Sequence, residues 1–183
     1  MTPTTPPEII PLSILDGCEI VKWVGDEMAL SWVDPPESPE RVRDQVWAHE
    51  SVPYLQLSYL DIHLAEGRAL RLLSQLEDGS SFHGFFLLNL DRSEADSEPS
   101  PEWSIFRTRE LDELPLGMAK LSIIRRDGPN ALIEIELAIG HDVIRLLAAE
   151  VDEQLDGTFR ICEPDESILV QLNGAVPARP TGA

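Results

Sequence analysis

The chain has 183 residues, 43% of them hydrophobic, and sets 33 acidic side chains against 14 basic ones for a formal charge of −19. That length and apolar fraction can fill one core without covalent staples. The charge speaks against direct nucleic-acid binding, which gains affinity by neutralising phosphates with clustered Lys and Arg, and against anionic membrane for the same reason.

Residues 1–12 begin with a Pro/Thr-rich stretch and read as a flexible tail. Glu19–Val24 and Met28–Val33 alternate around Gly25-Asp26-Glu27, which predicts a hairpin with Trp23 and Trp32 as anchors. Ser38 followed by Pro39 and Glu40 carries helix-start chemistry, so one short helix is expected over 39–48, with Val42, Val46 and Trp47 facing the core. Strands are predicted near 55–64, 69–76 and 83–90.

Asp91–Pro101 holds four acids and two prolines, has nothing to bury, and splits the chain roughly in half. A strand near 104–109 follows it. Next come Ala119–Arg125 and Ile133–Leu137, which the turn residues Asp127-Gly-Pro-Asn130 join as a second hairpin. The segment 142–155 fits a helix as well as a strand. A candidate repeat favours strand at 144–151, because Ile62–Ala65, Ala69–Leu73 and Asp78–Phe82 resemble Ile135–Ala138, Val143–Leu147 and Asp156–Phe159 in order and near spacing. Strands at 158–162 and 167–172 complete the pattern, and 173–183 reads as a second tail.

The fold class this implies is mainly β: antiparallel sheets in a sandwich or barrel-like arrangement, one domain over 13–172 with two candidate related halves, and the short helix at 39–48. Cys18 and Cys162 lie far apart, no charged and apolar leader follows Met1, and no apolar run is long enough to span a bilayer. Reduced thiols and a cytoplasmic location are expected.

The motifs of common chemistry are missing. No glycine precedes a lysine, which removes the Walker phosphate cradle, and no Gly-x-Gly or Gly-x-Ser-x-Gly occurs. The four histidines and two cysteines stand at no zinc-ligand spacing, and no calcium-loop pattern is present. No catalytic residue, cofactor or metal is expected.

Carboxylates cluster beside strand ends: Glu110, Asp112 and Glu113; then Glu150, Asp152, Glu153 and Asp156; and Glu163, Asp165 and Glu166. The first two clusters are the candidate partner-binding residues, since carboxylates fixed on β-loops can present an acidic face to the arginines and lysines of another protein. Arg107, Arg109, Lys120, Arg125, Arg126 and Arg145 compete for these acids from inside the chain. The expected function is that of a non-catalytic acidic module, an inhibitor or immunity-type protein masking a basic, nucleic-acid-handling partner. The alternatives are an assembly subunit that pairs through strand edges and aromatic anchors and, less favoured, an enzyme of unrecognised pattern.

Overall fold

The computed structural model describes residues 9–33, 44–75, 84–90, 104–126 and 131–178. Among the described residues fourteen strands run in chain order: β1 (Ile9–Ile10), β2 (Glu19–Met28), β3 (Ser31–Val33), β4 (Asp44–Val46), β5 (Leu55–Leu64), β6 (Ala69–Gln75), β7 (Gly84–Asn89), β8 (Phe106–Glu110), β9 (Gly117–Arg126), β10 (Leu132–Ile139), β11 (Asp142–Ala148), β12 (Glu150–Glu153), β13 (Phe159–Cys162) and β14 (Ile168–Leu172). The helical structure among the described residues is one 3-10 turn, Leu12–Leu15. The mainly β, antiparallel expectation is borne out. No helix among the described residues is long and apolar enough to cross a membrane.

Six strands close on themselves in the order β2, β5, β14, β11, β10, β9 and back to β2. A barrel this small has no lumen, because inward side chains fill it. Ile135, Leu137, Ile144, Leu146, Ile168 and Val170 supply much of that filling, each fully buried. Segments from both sides of 91–101 therefore build one core.

Two irregularities keep long strands facing inward. On β5 the buried set moves from Leu55 and Leu57 to Leu60, Ile62 and Leu64, across a register shift against β2 at Asp26 and Glu27. On β2 a similar shift between Ile20 and Lys22 turns Trp23, Gly25 and Glu27 inward. A bulge inserts one residue and reverses the side-chain alternation beyond it.

The hairpin expected around Gly25 is not formed. Glu19–Met28 is one continuous strand, and Gly25 sits inside it because a Cβ there would lie 2.8 Å from Leu111 Cδ1 and 3.0 Å from Leu57 Cδ2. The glycine serves close packing rather than a turn. Gly84 serves close approach too, since a Cβ on it would come within 2.3 Å of the Leu132 carbonyl oxygen, where β7 meets β10 in parallel.

The helix expected at 39–48 is corrected where it can be seen: Asp44–Val46 is β4, paired with β3, and Trp47 and Ala48 are not helical. Its start signals at Ser38–Glu40, with residues up to 43, fall outside the described residues. Ladder bonds to β3 satisfy this backbone, and a helix started by local capping cannot offer Trp47 the guanidinium it meets here. Val46 is 37% exposed rather than in the core.

The β9–β10 hairpin forms as expected, with its turn outside the described residues. Both members of the candidate repeat are antiparallel hairpins, β5–β6 and β10–β11. Within 142–155 the chain is strand rather than helix, β11 over Asp142–Ala148 and β12 over Glu150–Glu153. The acidic stretch 91–101 lies outside the described residues. Parts of both expected tails, Ile9–Ile10 and Ala175, are paired. Ile9 and Ile10 pair with β7, and at the other end Leu172 bridges Ala175.

Candidate functional site

Three buried carboxylates pair with five of the ten described Lys and Arg side chains. Glu27, inward on β2, accepts from Arg107 Nε at 2.8 Å, Arg107 Nη2 at 2.7 Å and Arg109 Nε at 2.8 Å. Glu134 on β10 binds Arg125 and Arg145, and Asp61 on β5 takes a two-pronged contact from Arg71 at 2.7 and 2.9 Å. Glu134 alternates with Ile133 and Ile135 along β10. It is buried because guanidiniums from β9 and β11 close over it. A buried charge is tolerable only when so paired.

These pairs decide which of the clustered acids are already engaged. Glu110 meets Lys22 at 2.8 Å, and Glu113 is clamped by Arg109 at 2.5 and 3.0 Å with its side chain 2% exposed. Asp112 is exposed and in none of these ion pairs. Of the acids at 110–113, then, Glu113 is buried against Arg109, Glu110 shares an exposed pair with Lys22, and Asp112 stays exposed.

The cluster at 150–156 is built differently. β12 and β13 pair as a separate two-stranded sheet, with Glu150 opposite Cys162 and Asp152 opposite Arg160. Val151, Leu30, Leu147, Ala149 and Leu169 form a second apolar cluster that fixes this sheet to the outside of the barrel, with Phe159 packed against it. Each fully buried aliphatic side chain adds about 1.5–3 kcal/mol of anchoring. Gln56 Oε1 accepts the Val151 N–H at 2.6 Å from inside, and His49 stacks at 4.8 Å on Phe159.

On that scaffold the charges accumulate. The Ala148 carbonyl accepts from the Asp165 N–H and the Ser167 carbonyl accepts from the Ala149 N–H, which brings the 165–167 segment alongside Glu150. Residues 150–166 contain seven carboxylates and one basic residue, Arg160. Of the seven, Glu163 is paired, to Arg125; Glu153 accepts from Ser31 Oγ and Asp156 from Thr158 within its own turn. Burial pushes the Glu150 carboxyl above its ordinary pKa, and the charges of Asp165, Asp152 and Glu166 raise it further, against a hydrogen bond from Ser167. A cleft of about 220 Å³ between Trp32 and these acids opens on this face. Trp32 is 40% exposed, and Leu155 at the hairpin tip is fully exposed.

A carboxyl held above its unfolded value opposes folding once it is ionised, and is relieved of that cost as the pH falls through its folded pKa. Glu150→Gln should therefore raise the melting temperature at neutral pH. The gain should vanish when the pH drops below the ordinary carboxylate range, which melting curves from about pH 3 to pH 7 would read.

A second concavity lies where the inward faces of β2, β5 and β8 reach the barrel mouth. It measures about 390 Å³, with Glu27, Arg107 and Arg109 at its polar side and Leu55, Val176 and Pro177 among its apolar walls. The Arg107 guanidinium lies 3.8 Å from the Trp47 ring centroid. Nothing in the sequence pointed to this mouth, since Glu27 lay in an expected turn and Arg107 in an expected strand far from it in the chain. Among the described residues no group of three or more His, Cys, Asp or Glu is placed to hold a metal ion. No protein-family model matches the chain, and no curated protein or solved structure matches it.

Proposed function

We propose that the protein is a non-catalytic acidic binding module, of the inhibitor or immunity type, and that the face formed by β12, β13 and residues 163–166 meets a basic partner. The observation that carries this reading is the asymmetry of pairing. Arg71, Arg107, Arg109, Arg125 and Arg145 are committed to buried carboxylates, while exposed Asp152 and Glu166 and half-buried Glu150 have no cation among the described residues. The rigid second core holds those charges in place, so their field is preorganised for a partner's Arg and Lys. Trp32 and Leu155 add exposed apolar anchors beside the charge, the arrangement of a protein interface.

One observation favours a second reading. β9 carries Met118, Ile123 and Ile124 exposed, and beyond Leu121 its outer edge pairs with no strand among the described residues, a template for joining another chain's sheet. The two readings separate by salt. Tagged protein should recover a basic partner from its own cells at low ionic strength and release it as salt approaches physiological strength, because exposed charges are screened within about 10 Å at 0.1 M. A partner retained unchanged at high salt would transfer the interface to the β9 edge.

A further inference from the structure

We infer that the open end of β9 is a docking edge for a short extended segment of another protein, apolar where it meets Ile123 and acidic on either side. The inference rests on the second reading given above and names the partner that this edge fits. β9 pairs with β10 along its length but with β2 only at Gly117 and Met118. Next along the outer edge, Ala119 exchanges backbone hydrogen bonds with Gly17 and Cys18, both at 2.8 Å, and Asp16 Oδ1 accepts the Leu121 N–H at 3.1 Å. Upstream of Asp16 the chain is the 3-10 turn, which offers no further ladder. Strand backbone faces one edge at every second residue, and no register shift against β10 falls between Ala119 and Ile123. The Leu121 carbonyl and both backbone groups of Ile123 therefore face the open edge, with no partner strand among the described residues.

The side chains around these groups define the partner. Main-chain hydrogen bonds give an added strand its affinity, and the side chains opposite it select its sequence. Ala119 is buried and Leu121 half-buried, while Ile123, next on the same side of the strand, is 47% exposed. Its uncovered surface suits an apolar residue directly across from it. β9 holds Lys120, Arg125 and Arg126 and no acid, in a chain of charge −19. Arg125 is committed to Glu134 and Glu163, whereas Lys120 and Arg126 are exposed and in no ion pair among the described residues. These two cations stand on either side of Ile123 and match carboxylates on an incoming strand. Asp16 already sets one carboxylate against this edge. A second copy of β9 fits poorly, because antiparallel pairing about Ile123 would place Lys120 opposite Arg126.

The end-capped peptide Glu-Thr-Val-Thr-Glu and its counterpart Lys-Thr-Val-Thr-Lys are suitable probes for the full chain, followed in proton–nitrogen correlation spectra. The glutamate peptide should shift the Ile123 amide signal saturably, with a Kd on the order of millimolar, and slow its hydrogen exchange. The lysine peptide should bind there at least about tenfold more weakly. Main-chain bonds and one apolar contact carry the affinity, so it should change by less than about threefold between low and physiological salt. Ile123→Pro removes the edge N–H without removing a bond to β10, and should abolish binding in a protein whose circular dichroism is unchanged. Lys120→Glu with Arg126→Glu should reverse the preference between the two peptides. Equal binding of both peptides at Ile123, no saturable shift there, or binding retained by a folded Ile123→Pro would each overturn the assignment. Self-association that Ile123→Pro removes would give the edge to a second copy and overturn it too. Failure of the glutamate peptide, together with loss of a salt-resistant cellular partner in Ile123→Pro, would overturn the acidic partner and keep the edge reading.

Discussion

Glu27→Ala should destabilise the fold by about 2–4 kcal/mol at neutral pH, as measured by denaturant unfolding. Removing one partner of a buried ion pair costs about 3–5 kcal/mol because the other partner is left uncompensated. Here Arg107 and Arg109 keep 31% and 21% of their side-chain surface exposed, and Arg109 keeps Glu113, so water and the second acid recover part of that cost. Burial alone would raise the Glu27 pKa, but the hydrogen bonds and charges of Arg107 and Arg109 outweigh it and hold the carboxyl below its ordinary value. A carboxyl depressed in this way stabilises the fold fully above its unfolded pKa and loses that contribution as the pH falls through the folded value. The gap between wild type and Glu27→Ala should accordingly be constant from neutral pH down to the ordinary carboxylate range and then shrink. A gap that widens with acid would show that Glu27 is not held ionised by its arginines.

Most of the strands were legible in the sequence because period-two alternation and turn residues are local signals. The expected strand at 55–64 is β5 with the same bounds, and Ala119–Arg125 and Ile133–Leu137 pair as expected. The failures have long-range causes. Gly25 looked like a turn because the side chains that require a glycine there, Leu57 and Leu111, are far away in sequence. The helix signal at Ser38–Glu40 was read through to residue 48, whereas Asp44–Val46 answers to β3. At the candidate face the sequence located the carboxylates but not their partners. Glu113 turns inward to Arg109, Glu110 pairs with Lys22 at the surface, and Asp165 and Glu166 join Glu150 only because β11 and β14 align them. The barrel mouth was invisible for the same reason, since β2, β5, β8 and the segment after β14 each contribute to it.

The second large effect concerns the acidic face itself. Glu150→Gln, Asp152→Asn, Glu153→Gln and Glu166→Gln together remove four charges while keeping the shapes and hydrogen-bonding capacity of the side chains. The Ser31 contact to Glu153 can survive, since an amide oxygen also accepts a hydrogen bond. None of the four bears an ion pair that holds the barrel together, so the variant should fold and melt near the wild-type temperature or above it, given the like-charge strain at Glu150. What should change is the long-range attraction. Aligned charges speed diffusional encounter by about one or more orders of magnitude at low salt, and this advantage collapses as salt screens it.

Stopped-flow association of the wild type and this fourfold variant with the recovered basic partner, at low and at physiological ionic strength, tests the acidic-face account most directly. The wild type should associate at least about tenfold faster than the variant at low salt, and the two rates should converge as salt rises. Equal rates and equal salt slopes for two folded proteins would contradict the account and leave the β9 edge as the better interface.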